Sequence, residues 1–269
     1  LINHCKYLVV DFETASLDPS MNQPVSMAAV MIDGRKLSLC NQGIFYSMIN
    51  IIPDEEVQAY GLNMVEKKAL DVNKLTLEEI SKSPPLKTVW NNFENWVKFH
   101  MPKKDVWEAP IFCGHNCPYD FQIANRVHYG HLGGKIILPE KLINKTNIKK
   151  KSEKELAEAY RALTPLKEPW KFGSCAIWHP AITIDTKDLA FTLFENCREP
   201  AGLSLTALRS YFGFKEGEAH NALTDTLFSA EILVRYLRLM RKVHLDTDFN
   251  VEGETVLPIA QILEDNKHE

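Results

Sequence analysis

The chain has 269 residues, 45% of them hydrophobic and 25% charged, with a formal net charge of −4. That composition supports a real hydrophobic core and excludes a low-complexity chain, while the negative balance argues against a protein that coats duplex DNA. No run of about 18 apolar residues occurs, so no membrane-spanning helix is expected.

The first apolar run, residues 6–13, reads as a strand, and "VSMAAVMI" (25–32) and "GIFYSMINI" (43–51) read as a second and third. The Asp33-Gly34 pair between the last two is a turn signal that favours a hairpin. "TLEE" at 76–79 has the spacing of a capping box. After Pro84-Pro85, Val89, Phe93, Trp96 and Val97 recur at helical spacing, which predicts a helix over 86–100. Residues 111–114 form another apolar strand, followed by a helix that ends near Gly130. Residues 131–173 break the pattern and read as an insertion with a helix-forming middle. "AITIDTKDLAFTLF" reads as strand, turn and helix, and residues 203–212 as a short helix. The last long helix starts near Asn221, with Leu223, Leu227, Ala230, Leu233, Leu237 and Met240 as its apolar stripe. The order of elements predicts an α/β fold with a mixed sheet and helices on its faces. The expected division is one domain over 1–245 and an acidic tail over 246–269.

Six cysteines are too few for a disulfide scaffold, so free thiols and a reducing compartment, cytoplasmic or similar, are expected. Cys5, Cys40 and Cys197 fall in patterns that read as core or helix. The N-terminal run lacks the basic start and cleavage site of a signal peptide. Cys113 and Cys117 are four apart, as are Cys175 and His179. That is wider than the usual knuckle of a structural zinc site, and buried thiols are the plainer reading.

Charge is uneven along the chain. From Gly133 to Gly173 there are ten Lys or Arg and five Glu, a net +5, which leaves −9 for the rest. A basic segment on an acidic body fits a nucleic-acid contact or a solvated helix.

The chemistry centres on "VVDFETAS" at 9–16. Residues i and i+2 of a strand share a face, so Asp11 and Glu13 stand side by side while Phe12 points the other way. Two carboxylates this close repel, which raises a pKa or demands a cation, and hard oxygen donors suit Mg²⁺ or Mn²⁺. Asp120, in "GHNCPYDF", begins a helix after a strand. "HNALTD" places His220 just before the last helix and Asp225 in its first turns. Taken singly, Asp120 and Asp225 also read as acids favoured at helix N-termini, and His220 as a loop histidine.

Together, "DFET", "GHNCPYDF" and "HNALTD" resemble the three motifs of the DEDDh exonucleases, the group that includes the epsilon proofreading subunit and RNase T. The resemblance spans about residues 7–239, excluding 131–173, and "AYGLN" at 59–63 joins it. It implies an RNase H-like fold, a mixed five-stranded sheet with the first strand central and the second antiparallel to it. It implies two divalent cations, Mg²⁺ or Mn²⁺. Asp11 would bridge both, Glu13 and Asp225 would complete the first, Asp120 would hold the second, and His220 would be the general base. Thr14 and Leu17 resemble positions that touch the terminal nucleotide, and Asn116 and Phe121 resemble residues that line its pocket. Phe121 reads equally as core packing, and His115 as structural. "TAS" replaces the family's usual Thr-Thr-Gly, so Ala15 offers no hydroxyl there.

Lys149, Lys150 and Lys151 are candidate phosphate contacts in the insertion, and Trp170 or Phe172 a candidate base platform. The expected activity is 3′→5′ hydrolysis of single-stranded nucleic acid, DNA before RNA, with a polymerase or a second copy as a possible partner. An RNA-directed enzyme, a catalytically silent binding module and a zinc-organised interaction domain are the alternatives.

Overall fold

The computed structural model describes residues 5–16, 23–51, 65–101, 108–130, 177–179, 182–213 and 221–246. The chain divides into two units, Leu1–Val234 and Arg235–Glu269. Apart from the last turns of the final helix, every described element belongs to the first unit.

Five strands build one sheet: β1 (Lys6–Thr14), β2 (Pro24–Asp33), β3 (Ser38–Met48), β4 (Ile111–Gly114) and β5 (Thr183–Asp185). Their order is β3-β2-β1-β4-β5. β2 runs antiparallel to β1 and β3 antiparallel to β2, whereas β4 is parallel to β1 and β5 to β4. The first strand is therefore central, and the sheet is mixed as the sequence predicts.

The described helices are α1 (Lys67–Val72), α2 (Leu77–Ser81), α3 (Leu86–His100), α4 (Cys117–Gly130), α5 (Thr186–Phe194), α6 (Leu205–Tyr211) and α7 (Ala222–Asp246). α2 opens with the predicted capping box between Thr76 and Glu79. α3 has the predicted bounds, with Pro85 as its N-cap.

The main core lies on one face of the sheet. Leu8, Val10 and Phe12 of β1, Met27, Ala29 and Met31 of β2, and Phe112 of β4 meet Val89, Phe93 and Val97 of α3 and Ile123 and Val127 of α4. Each side chain of this kind contributes about 1.5–3 kcal/mol when fully buried. The same alternation sends Asp11 and Glu13 to the opposite face.

Three expectations are corrected. β3 starts at Ser38 rather than residue 43, because the hairpin turn is tight: Leu37 N donates to Asp33 O at 2.8 Å, and Asp33 Oδ1 accepts from Arg35 N and Lys36 N, each at 2.9 Å. The ladder then shifts register between Val30 and Ile32, opposite residues 40–43. Gln42 takes φ 52, and a Cβ on Gly43 would lie 2.6 Å from Cys40 O, so the irregularity requires a glycine. In α7 the predicted stripe holds in part: Ala230 and Leu233 are buried as expected, with Ile232 and Val234 beside them, but Leu227 is 39% exposed and Met240 is also exposed, while Ala222, Thr226 and Ser229 are buried. Small and hydroxyl side chains occupy the first turns of the inner ridge, which a count of large apolar residues misses. Cys197, expected in core or helix, is exposed and lies past the end of α5 at Phe194.

A polar cluster ties α3 to α4. His128 Nδ1 donates to Glu94 Oε1 at 3.1 Å, Trp90 Nε1 donates to the same oxygen at 3.0 Å, and Lys98 Nζ reaches Oε2 at 3.1 Å. These donors, His128 first, hold the Glu94 carboxyl down at about 2. A depressed folded-state value contributes stability that is complete above the ordinary 4.5 and lost as the pH falls through about 2. Glu94→Gln should thus lower the unfolding free energy at pH 7 by roughly 1 kcal/mol, after solvent screening. The difference from wild type should shrink below pH 4.5 in urea unfolding series.

Candidate active site

One carboxylate oxygen each from Asp11, Glu13 and Asp225 lie within 4.8 Å of one another. The strand supplies the first two by its period of two. Their cross-strand neighbours on β2 are Ala28 and Ser26, small residues that leave the acids room. Asp225 comes from the first turn of α7. The start of that helix is fixed by Asn221, whose Oδ1 accepts from Leu223 N at 3.1 Å and Thr224 N at 3.2 Å.

Asp120 joins through the backbone. β1 and β4 pair only as far as Val9 and Cys113. Beyond that point Asp120 Oδ1 accepts from Phe12 N at 2.9 Å, in place of a strand carbonyl. The residue between the two β1 acids thus anchors a fourth acid, which is 4% exposed.

Asp185, at the end of β5, fixes the start of α4. Its Oδ1 accepts from Asn116 N at 3.0 Å and its Oδ2 from Cys117 N at 2.9 Å. The same side chain caps α5 through Lys187 N at 2.8 Å. His115 packs beside it, with Nδ1 2.9 Å from Thr186 Oγ1 and Nε2 2.9 Å from Leu203 O. In the sequence "IDTKDL" reads only as a connection between elements. The Asp immediately before a helix was the available signal.

The electrostatics are those of crowded acids without a cation. Burial, then Asp120, Glu13 and Asp225, push Asp11 well above the ordinary carboxylate range. Burial and then Asp225 raise Glu13 to about 7. Asp120 is raised to about 8 by burial, against the opposing pull of the Phe12 N–H. An all-oxygen donor set under mutual repulsion fits hard divalent cations.

Of the other residues singled out from the sequence, Thr14 is buried, and its oxygens are engaged inside the protein. Its hydroxyl donates to Ser16 O at 2.9 Å and lies 2.8 Å from the Tyr119 hydroxyl, and its carbonyl accepts from Asn73 Nδ2 at 3.1 Å. Asn116 is exposed at the mouth of α4 with φ 64. Phe121 packs edge-on against Phe112 and Trp178, with centroids 5.1 and 6.0 Å away, so core packing accounts for it. Leu17, His220, Lys149, Lys150, Lys151, Trp170, Phe172, Cys175 and residues 59–63 lie outside the described residues. Cys113 and Cys117 are buried, and burial pushes both thiols up, which disfavours the thiolate that zinc would need.

No family model and no curated protein sequence matches the chain. Solved structures do match. The nuclease domain of 3′hExo, a DEDDh family member bound to rAMP, has a TM-score of 0.51 at 12% identity, over 87% of this chain and 92% of that one. The chain shares the fold of that nuclease domain. Cell-death related nuclease 4 matches with a TM-score of 0.52 at 14% identity, over 88% of this chain and 65% of that one. E. coli exonuclease I in complex with a dT13 oligonucleotide gives 0.57 at 13% identity, over 90% and 44%. The chain therefore spans just under two thirds of the nuclease 4 chain and under half of the exonuclease I chain.

Four acids forced together oppose folding, and a bound cation would relieve that repulsion. Asp11→Asn should raise the metal-free stability by roughly 1 kcal/mol, a Tm increase of about 2–4 °C. It should also abolish stabilisation by Mn²⁺. Thermal unfolding in EDTA and in Mn²⁺ measures both effects.

Proposed function

We propose that the chain is a metal-dependent 3′→5′ exonuclease acting on single-stranded nucleic-acid ends, DNA before RNA, with nucleoside monophosphates as products. The observation that carries this reading is the convergence of Asp11, Glu13 and Asp225 within 4.8 Å, with Asp120 bonded to the strand between the first two. The shared fold supports it.

Asp11, Glu13 and Asp225 would hold one divalent cation, and Asp11 with Asp120 a second. When bound, such ions acidify a water and stabilise charge on the attacking and leaving oxygens of a phosphodiester. The chain's own contribution is position. β1 sets the spacing of two acids, the Asn221 cap sets the third, and the Phe12 N–H sets the fourth. His220, the residue before that cap in the sequence, is assigned the proton of the attacking water, since an imidazole of pKa near 6.5 accepts it at neutral pH. Lys149, Lys150 and Lys151 are assigned to the phosphates of the incoming strand.

Labelled single-stranded DNA and RNA, with Mg²⁺, Mn²⁺ or EDTA, test the reading. Mononucleotides should appear from the 3′ end and vanish with EDTA. Faster loss of RNA would change the substrate class and leave the site intact. A folded protein that leaves every substrate whole with either metal would overturn the proposal. Asp11→Ala should abolish turnover, and His220→Ala should lower it about 10²–10⁴-fold. Near-normal turnover in His220→Ala would remove the histidine from the mechanism.

A further inference from the structure

Arg209 lies on α6, outside the three motifs, and is 6% exposed. Its Nη1 donates to Asp225 Oδ1 at 3.3 Å. Its Cζ sits 4.0 Å from the centroid of Phe228, one turn along α7 from Asp225. The guanidinium is thus held between a carboxylate of the acidic cluster and an aromatic face. α6 is itself anchored: Ser204 Oγ caps it by accepting from Ala207 N at 3.2 Å, and the fully buried Leu208 packs with Ala190 and Ile232.

A buried guanidinium is costly unless paired, and removing one partner of such a pair strands the other. Here the partner is an acid that already raises Asp11 and Glu13 by repulsion. We propose that Arg209 is a positioning residue of the metal centre, which orients the Asp225 carboxylate and serves as its countercharge before divalent ions arrive. This rests on the metal-dependent reading above. Four carboxylates balance two divalent ions, so the guanidinium adds one positive charge, which the bridging phosphodiester of a substrate offsets.

The roles separate in an experiment. A guanidinium close to the cluster repels incoming cations, and that repulsion in a half-buried site exceeds the loss of one restrained rotamer. Arg209→Met should therefore bind Mn²⁺ more tightly, about fivefold or more by calorimetric titration. It should lose more Tm in EDTA than in saturating Mn²⁺. Its kcat should still fall about 10- to 100-fold with KM little changed, because Asp225 is no longer held. Arg209→Lys keeps the charge but not the planar fork, so its Mn²⁺ affinity should stay near wild type while kcat falls.

An Arg209→Met protein that folds only with Mn²⁺ supports the proposal. Equal Tm loss in both buffers, or Mn²⁺ affinity unchanged or weaker, overturns it in favour of a purely structural arginine. If Arg209→Met folds in neither buffer, Arg209→Lys decides, and wild-type kcat there overturns the proposal. Wild-type protein that fails to bind Mn²⁺ would remove the metal centre and this inference with it. A protein that binds Mn²⁺ without coupling to Arg209 would remove the inference alone.

Discussion

Strand β1 is paired on both sides and must serve two incompatible environments. Leu8, Val10 and Phe12 go into the apolar core, while Asp11 and Glu13 face the other way. A slip of one residue would exchange the sets and bury both acids among aromatic rings. The core under Phe12 therefore does more than stabilise the fold. It fixes which face the carboxylates occupy, and the other acids are fastened relative to that strand.

The fastening uses backbone groups that regular pairing leaves over. Past the short β4, the Phe12 N–H has no strand neighbour on that side, and Asp120 supplies the acceptor. At the start of α4, two N–H groups that the helix cannot satisfy are met by Asp185. At the start of α7, Asn221 does the same and sets the turn that carries Asp225. Asp120 and Asp225 are thus placed by hydrogen-bond needs of the scaffold, and Asp11 and Glu13 by the alternation of β1. This holds like charges together although burial, with repulsion added, lifts Glu13 to about 7 and Asp120 to about 8.

The sequence made the strands and acids legible because both obey simple periods. Alternation marked β1, helical spacing marked both ends of α3, and motif order linked four acids that span more than 200 positions. What escaped it depends on contacts between distant segments. β3 begins early because Gly43 permits a bulge that only the neighbouring strand explains. The inner ridge of α7 begins with Ala222, Thr226 and Ser229, residues whose burial comes from close packing rather than hydropathy. Asp185 and Arg209 look like an ordinary connection and an ordinary helix cation until their partners are seen.

The segment after Glu13 has Ala15 where the motif that it resembles usually carries a threonine, and its packing gives a reason. Ala15 is fully buried with Val25, Leu70 and Ile80. Its N–H donates to Gln23 O at 3.0 Å and its carbonyl accepts from Glu66 N at 2.9 Å. A hydroxyl at this position would have to find a buried partner or incur a desolvation cost. Thr14 next to it is likewise bonded inward, to Ser16 and Tyr119. The strand end beside the acids is thus committed to holding α1 and α4 in place. The half-buried Tyr119, whose hydroxyl meets Thr14 and whose next residue is Asp120, links this second core directly to the acidic site. A change in either packing would reach the carboxylates through that one turn of α4.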